Sequence, residues 1–131
     1  MKRFISVVLV VVMILTVCAT AFAANLPTSS ITKEDHKDTT PVSKGSKTGS
    51  AAKVSASMTN NATFHFRVWR SSSYQASEGA RITGSGSATL RTLKDDYGNS
   101  RLRKDYSYFL RVTHSTYSKV NEASCSGTWN P

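Results

Sequence analysis

Apolar and polar side chains alternate with a period of two through most of the second half of the chain. The alternation is clearest over 62–70, where Phe64, Phe66 and Val68 fall on one face and Thr63, His65, Arg67 and Trp69 on the other. A helix would scatter these residues around its circumference, whereas a strand sends successive side chains to opposite faces. Upstream, Val54, Ala56 and Met58 alternate with Lys53, Ser55 and Ser57 before the turn residues Thr59, Asn60 and Asn61. Shorter alternations run over 80–83 and over 87–93, the latter setting Ala88, Leu90 and Thr92 against Thr89, Arg91 and Leu93. Residues 94–100 collect Asp, Asn and Gly, which bond their own backbone or tolerate positive φ, and predict a hairpin tip. The returning strand is expected to begin over 102–104 and to continue over 106–114, with Tyr106, Tyr108, Leu110 and Val112 opposite Ser107, Phe109, Arg111 and Thr113. Residues 115–126 are polar and less regular, and no segment after residue 23 combines helical period with helical length.

Five or six short strands separated by turns predict an all-β fold, a small antiparallel β-sandwich or open barrel spanning 53–131. A chain of that size buries only about 60% of its unfolded surface, so the expected core is modest: Phe64, Phe66, Val68, Leu90, Tyr108, Leu110 and Val112. Residues 24–52 have a different character. Ser, Thr, Lys, Gly, Asp and Pro dominate, and Leu26, Ile31 and Val42 are the only large aliphatics. Such a segment cannot bury enough surface to fold alone, and it reads as a disordered basic linker or pro-segment.

The N-terminus has the three parts of a secretory signal peptide. Met1-Lys2-Arg3 is a positive n-region, 4–17 an almost unbroken apolar run, and Ala21-Phe22-Ala23 a small-x-small cleavage site, so residues 1–23 are expected to be removed on export. The apolar run is shorter than the roughly 20 residues a membrane span needs, and no transmembrane segment is expected in the mature form. Leu15-Thr16-Val17-Cys18 has the Leu and the Cys of a lipobox, so anchoring as a lipoprotein through Cys18 is the alternative to secretion; Val17 stands where a small residue is the rule.

Loss of Lys2 and Arg3 with the signal leaves 15 basic against 8 acidic side chains, a net charge of +7. That balance favours anionic partners outside the cell: a cell-wall polymer, an acidic polysaccharide or an anionic lipid surface. Nucleic acid is not among the expected partners. Cys125 is the only cysteine after residue 23, so the mature chain has no internal disulfide, and this cysteine is buried, bridged to another chain or reactive.

No set of residues has the pattern of a catalytic or metal site. Cys125 lies between serines without a nucleophile motif, His36, His65 and His114 are isolated, and turn chemistry accounts for Asp95 and Asp96. No enzyme activity, cofactor or metal is expected. The candidate binding residues are the polar faces of the two best strands, His65, Arg67 and Trp69 on one and Phe109 and Arg111 on the other. If those strands are neighbours, aromatic rings and guanidinium groups share one surface suited to sugar rings and anionic groups. Packing under a second layer is the competing explanation for Trp69 and Phe109.

The C-terminal Ser126-Gly127-Thr128-Trp129-Asn130-Pro131, following the Tyr-rich strand over 106–112, resembles the tails of small secreted proteins of Gram-positive bacteria that end in Ser-Gly-x-Trp-x-Pro. The resemblance covers about the last 30 residues. It implies a secreted β-sandwich-like domain and carries no activity to any position. Three classes of function follow: a non-catalytic binding protein for an anionic or saccharide-bearing extracellular surface, a membrane-active antibacterial or toxin-like protein, and a structural or matrix component.

Overall fold

The computed structural model describes residues 23–131. The signal segment, including Cys18 and Ala21, lies outside the described residues, and Ala23 is the first of them. The fold is all-β and antiparallel, as the alternation predicts. Among the described residues six strands have four or more residues: β5 (Ala52–Met58), β6 (Thr63–Ser71), β8 (Ala80–Thr83), β9 (Ser85–Leu90), β10 (Ser107–His114) and β12 (Cys125–Asn130). Six shorter ones complete the set: β1 (Ala24–Asn25), β2 (Ile31–Thr32), β3 (His36–Asp38), β4 (Val42–Ser43), β7 (Tyr74–Gln75) and β11 (Glu122–Ala123).

One sheet runs β1-β12-β5-β9, the other β3-β10-β6-β7 with β4 also on β10 and β8 also on β6, while β2 pairs with β11. The chain changes sheets twice at one corner. It leaves β5 through Thr59–Asn61 into β6, and it returns from β8 to β9 at Gly84. Met58 N donates to Gly84 O and Gly84 N to Ala62 O, so the corner is hydrogen-bonded. Asn60 and Asn61 take left-handed φ of 55° and 53°, a conformation that Asn adopts more readily than most residues.

Between the sheets lie all seven expected core residues, each at most 1% exposed. Trp129, Val54, Leu102, Ile31 and Leu26 enlarge that core. Trp129 and Cys125 belong to β12, which sits between β1 and β5 as an interior strand. Tyr108 reaches the loop that precedes β10: its hydroxyl donates to Arg101 O at 2.8 Å and accepts from Arg103 N at 2.8 Å, which fixes the bend where Leu102 is buried. The expected strand start over 102–104 is therefore a bend, and β10 begins at Ser107. Tyr106, expected in line with the core face, is 40% exposed and lies under Arg70.

The segment 24–52, expected to be disordered, is ordered and forms β1 to β4. It builds no core of its own: β1, β3 and β4 add to sheets whose core is made elsewhere, and β2 forms a separate two-stranded pair with β11. β1 pairs with β12, β2 with β11, and β3 and β4 with β10. Its few aliphatics act as pegs, Leu26 at 3% and Ile31 at 1% exposure, with Val42 packed on the margin of the core. Lys44 is also buried, its Nζ donating to Ser46 Oγ at 2.8 Å, Ser50 Oγ at 2.9 Å and Ser50 O at 3.1 Å. Among the described residues the strands therefore run from Ala24 onward rather than from Lys53.

The outer face of the first sheet is almost wholly hydroxylic. Ser57 lies between Ser126 and Ser85, Ser55 between Thr128 and Ser87, and Lys53 between Asn130 and Thr89. The outer face of the second sheet is aromatic and basic, and it carries every candidate binding residue.

Candidate functional site

β6 and β10 are direct neighbours, paired Phe109↔Trp69, Arg111↔Arg67 and Thr113↔His65. Because Phe64, Phe66, Val68, Leu110 and Val112 face inward, strand alternation turns His65, Arg67, Trp69, Phe109 and Arg111 outward together. All five are half-buried, neither the interior of a second layer nor fully exposed.

The five divide into two groups. Trp69, Phe109 and Arg111 form a stack, with the Arg111 guanidinium 4.8 Å from the Trp69 ring centroid and 5.7 Å from that of Phe109. Arg111 is also held by Asp38 of β3 in a two-pronged ion pair, Nε to Oδ1 and Nη2 to Oδ2, both 2.8 Å. The Asp38 carboxylate pushes the Arg111 pKa further up, against a smaller opposing effect of burial. Arg111 is thus already neutralised, and its part in the face is to clamp the rings and anchor β3. The Trp69 indole N–H is buried with no acceptor among the described residues.

His65 and Arg67 belong to the second group, lining a cleft of about 520 Å³ with Arg81, Glu34, Thr113 and Tyr117. Arg81 lies opposite His65 on β8, and its guanidinium is 4.6 Å from the Tyr117 ring centroid. Among the described residues neither Arg67 nor Arg81 has a carboxylate within ion-pair distance. Burial, followed by the nearby charges of Arg67 and then Arg81, holds His65 below its ordinary imidazole pKa. Gly79 makes room for the pair: a Cβ there would collide with His65 Nε2 and sit 3.1 Å from Arg67 Nε. Glu34 reaches the rim from a left-handed backbone conformation, φ 71°, which is uncommon for a side chain of that size.

Sequence reasoning missed Arg81, Tyr117 and Glu34. In β8 Arg81 lies on the face away from the buried Ile82, and nothing in the sequence paired β8 with β6. Tyr117 lies in the irregular stretch 115–126, and Glu34 in the segment expected to be disordered.

Cys125, His114 and Asp95, also weighed for chemistry, are held in the core or in a turn. Cys125 is 1% exposed, and burial pushes its pKa up to about 12, which leaves it as the thiol and unsuited to nucleophilic work near neutral pH. His114 is fully buried, stacked on Phe64 at 4.7 Å, with Nδ1 2.8 Å from Ile31 O. Asp95 Oδ1 accepts the backbone N–H groups of Asn99 and Tyr97 at the hairpin tip, and these bonds hold its carboxyl below the usual carboxylate range. No group of three or more metal-ligating side chains occurs among the described residues. Nor is any helix among them long and apolar enough to cross a membrane. No protein-family model matches the chain, and no curated protein matches it.

Proposed function

We propose that the chain is exported and acts as a non-catalytic binding protein for an anionic or saccharide-bearing extracellular surface, such as a cell-wall polymer. The observation that carries this reading is the juxtaposition, on one sheet face, of the half-buried rings Trp69 and Phe109 with Arg67 and Arg81, which have no carboxylate partner among the described residues. Planar rings stack on the apolar faces of sugars, and unpaired guanidinium groups take anionic substituents with two parallel hydrogen bonds. A net charge of +7 after loss of residues 1–23 adds a long-range attraction to polyanions. The likeness of the C-terminal tail to small secreted Gram-positive proteins agrees with export. So does the start of β1 at Ala24, the residue that cleavage after Ala23 would make the first.

The test is retention of the protein on isolated cell walls, anionic vesicles and a polysaccharide panel, with Arg67→Ala, Trp69→Ala and Arg111→Ala alongside. Arg67→Ala should weaken retention in low salt, and Trp69→Ala should weaken it at every salt concentration. The charge component should fade as the screening length falls below about 10 Å near 0.1 M salt. Retention on none of these surfaces, or equal retention by all three folded variants, contradicts the proposal. Dye release from anionic vesicles without wall binding would favour a membrane-active protein instead.

A further inference from the structure

We infer that the cleft between β6, β8 and the end of β10 is a site for one tetrahedral oxyanion, the sulfate or phosphate group of a larger anionic ligand, held by Arg67, Arg81 and His65. This rests on the reading of the β6–β10 face as a ligand surface and names the chemical group that the surface takes.

Four observations converge on the cleft. Two guanidinium groups and an imidazole line one concavity, and among the described residues no carboxylate neutralises either arginine. Arg111, the direct cross-strand neighbour of Arg67 on β10, forms the contrast: there Asp38 supplies the anion from within the protein. Arg67 and Arg81 have no such ion-pair partner among the described residues. Gly79, beside the cleft rather than in its lining, lets His65 Nε2 and Arg67 Nε both lie against bare backbone, where a Cβ would collide with the imidazole. Two planar forks and one ring N–H offer more donors than a planar carboxylate can accept, which suits an anion with three or four oxygens.

The groups facing His65 settle the direction of its response. Arg67 lies on its own strand, Arg81 on β8 opposite, Thr113 on β10 opposite with His36 of β3 beyond it, and Glu34 and Tyr117 at the rim. Burial and the two arginines disfavour the imidazolium in the free protein. Bound sulfate cancels the charge of the two guanidinium groups that disfavour the imidazolium, so His65 takes up a proton on binding. Affinity for sulfate therefore rises as pH falls through the titration of His65 and levels off once the free protein is itself protonated.

Sodium sulfate is the probe, because it stays fully charged across this range. The full chain is expressed, the protein is purified from whichever fraction carries it, and the His65 imidazole is followed by NMR through a pH titration. The runs are in sulfate and in chloride at equal ionic strength. Sulfate should raise the His65 pKa where chloride does not. Arg67→Ala and Arg81→Ala should each weaken sulfate binding about tenfold, in line with loss of a charge-assisted hydrogen-bond pair. Glu34→Gln should tighten it about two- to threefold, and Gly79→Ala, which leaves every charge in place, should weaken it by displacing His65 and Arg67. A sulfated polysaccharide and a poly(glycerol phosphate) then distinguish the two sources of the group. Equal His65 titration curves in sulfate and chloride, or undiminished sulfate affinity in the folded Arg67→Ala and Arg81→Ala proteins, would overturn the inference. Wall binding that persists alongside such a result leaves the surface-binding reading standing without an oxyanion site. Sulfate binding without retention on any wall or polysaccharide supports the site and removes the proposed function.

Discussion

Gly127 is the position where one added methyl group should matter most. It sits in β12 opposite Ala56 of β5, its backbone takes φ 140°, and its carbonyl accepts Leu26 N at 3.0 Å. A Cβ at this position would collide with Ser55 O and lie 2.9 Å from Ala56 Cα. Both obstacles are backbone atoms of the neighbouring strand, so no rotamer change relieves them. Holding Ala at this φ costs about 1–3 kcal/mol. Moving the strands apart gives up roughly two ladder hydrogen bonds at about 1 kcal/mol each, for a total near 3–5 kcal/mol. With a urea slope of about 1.5 kcal/mol/M, Gly127→Ala should lower the unfolding midpoint by about 2–3 M, a large part of the roughly 5–15 kcal/mol such a domain has. Gly45→Ala is the control, since a Cβ there meets nothing within 4 Å, and its change should stay within about 0.5 kcal/mol. Equal midpoints for the two variants, measured by tryptophan fluorescence in urea, would refute the β5–β12 register and the close approach it implies.

Residues 24–52 should resist limited proteolysis as well as 53–131 does, and a chain starting at Lys53 should lose cooperative unfolding because Leu26, Ile31 and Lys44 leave their sites; early cleavage within 24–52 would contradict the docking of β1 to β4. Burial lowers the Lys44 pKa from its ordinary 10.5, so the unfolded chain holds that proton more tightly. The stability of the wild type relative to Lys44→Met should therefore rise with pH towards 10.5 and level off above it; a pH-independent difference would mean that Lys44 is solvated. Cys125 should be inert to thiol reagents at pH 8 in the folded protein and react fully in urea, and rapid native labelling would contradict its burial.

The parts of the fold legible in the sequence are those where one strand carries several large inward residues. Phe64, Phe66 and Val68 on β6 and Tyr108, Leu110 and Val112 on β10 give a period of two that fixes both faces of each strand. β12 was harder to read. Its inward positions are Cys125 and Trp129, with Gly127 between them and serine, threonine and asparagine at the outward positions, so the alternation fades at the strand's centre. The segment 24–52 was misread for a different reason. Composition tests whether a segment can make its own core, and this one docks on a core made elsewhere, with backbone pairing to β10, β11 and β12 in place of buried area. The candidate face was half legible. Strand alternation assembled His65, Arg67, Trp69, Phe109 and Arg111, but Asp38 and Arg81, which divide the face into a neutralised stack and a cationic cleft, come from partners that only the pairing of β3 and β8 reveals, and Tyr117 from the irregular segment after β10.

The most direct test of the proposed binding face is a map of backbone and indole NMR shifts as solubilised cell-wall polymer is titrated into the isotope-labelled protein. The two sheets offer surfaces of opposite character, the aromatic and basic face of β6, β8 and β10 and the hydroxyl rows of β5, β9 and β12. The expected result is a saturating set of changes at His65, Arg67, Arg81, Phe109 and the Trp69 indole, with Ser55, Ser87 and Thr128 unmoved. Changes confined to the hydroxyl rows, or none at polymer concentrations that retain the protein on intact walls, would contradict it.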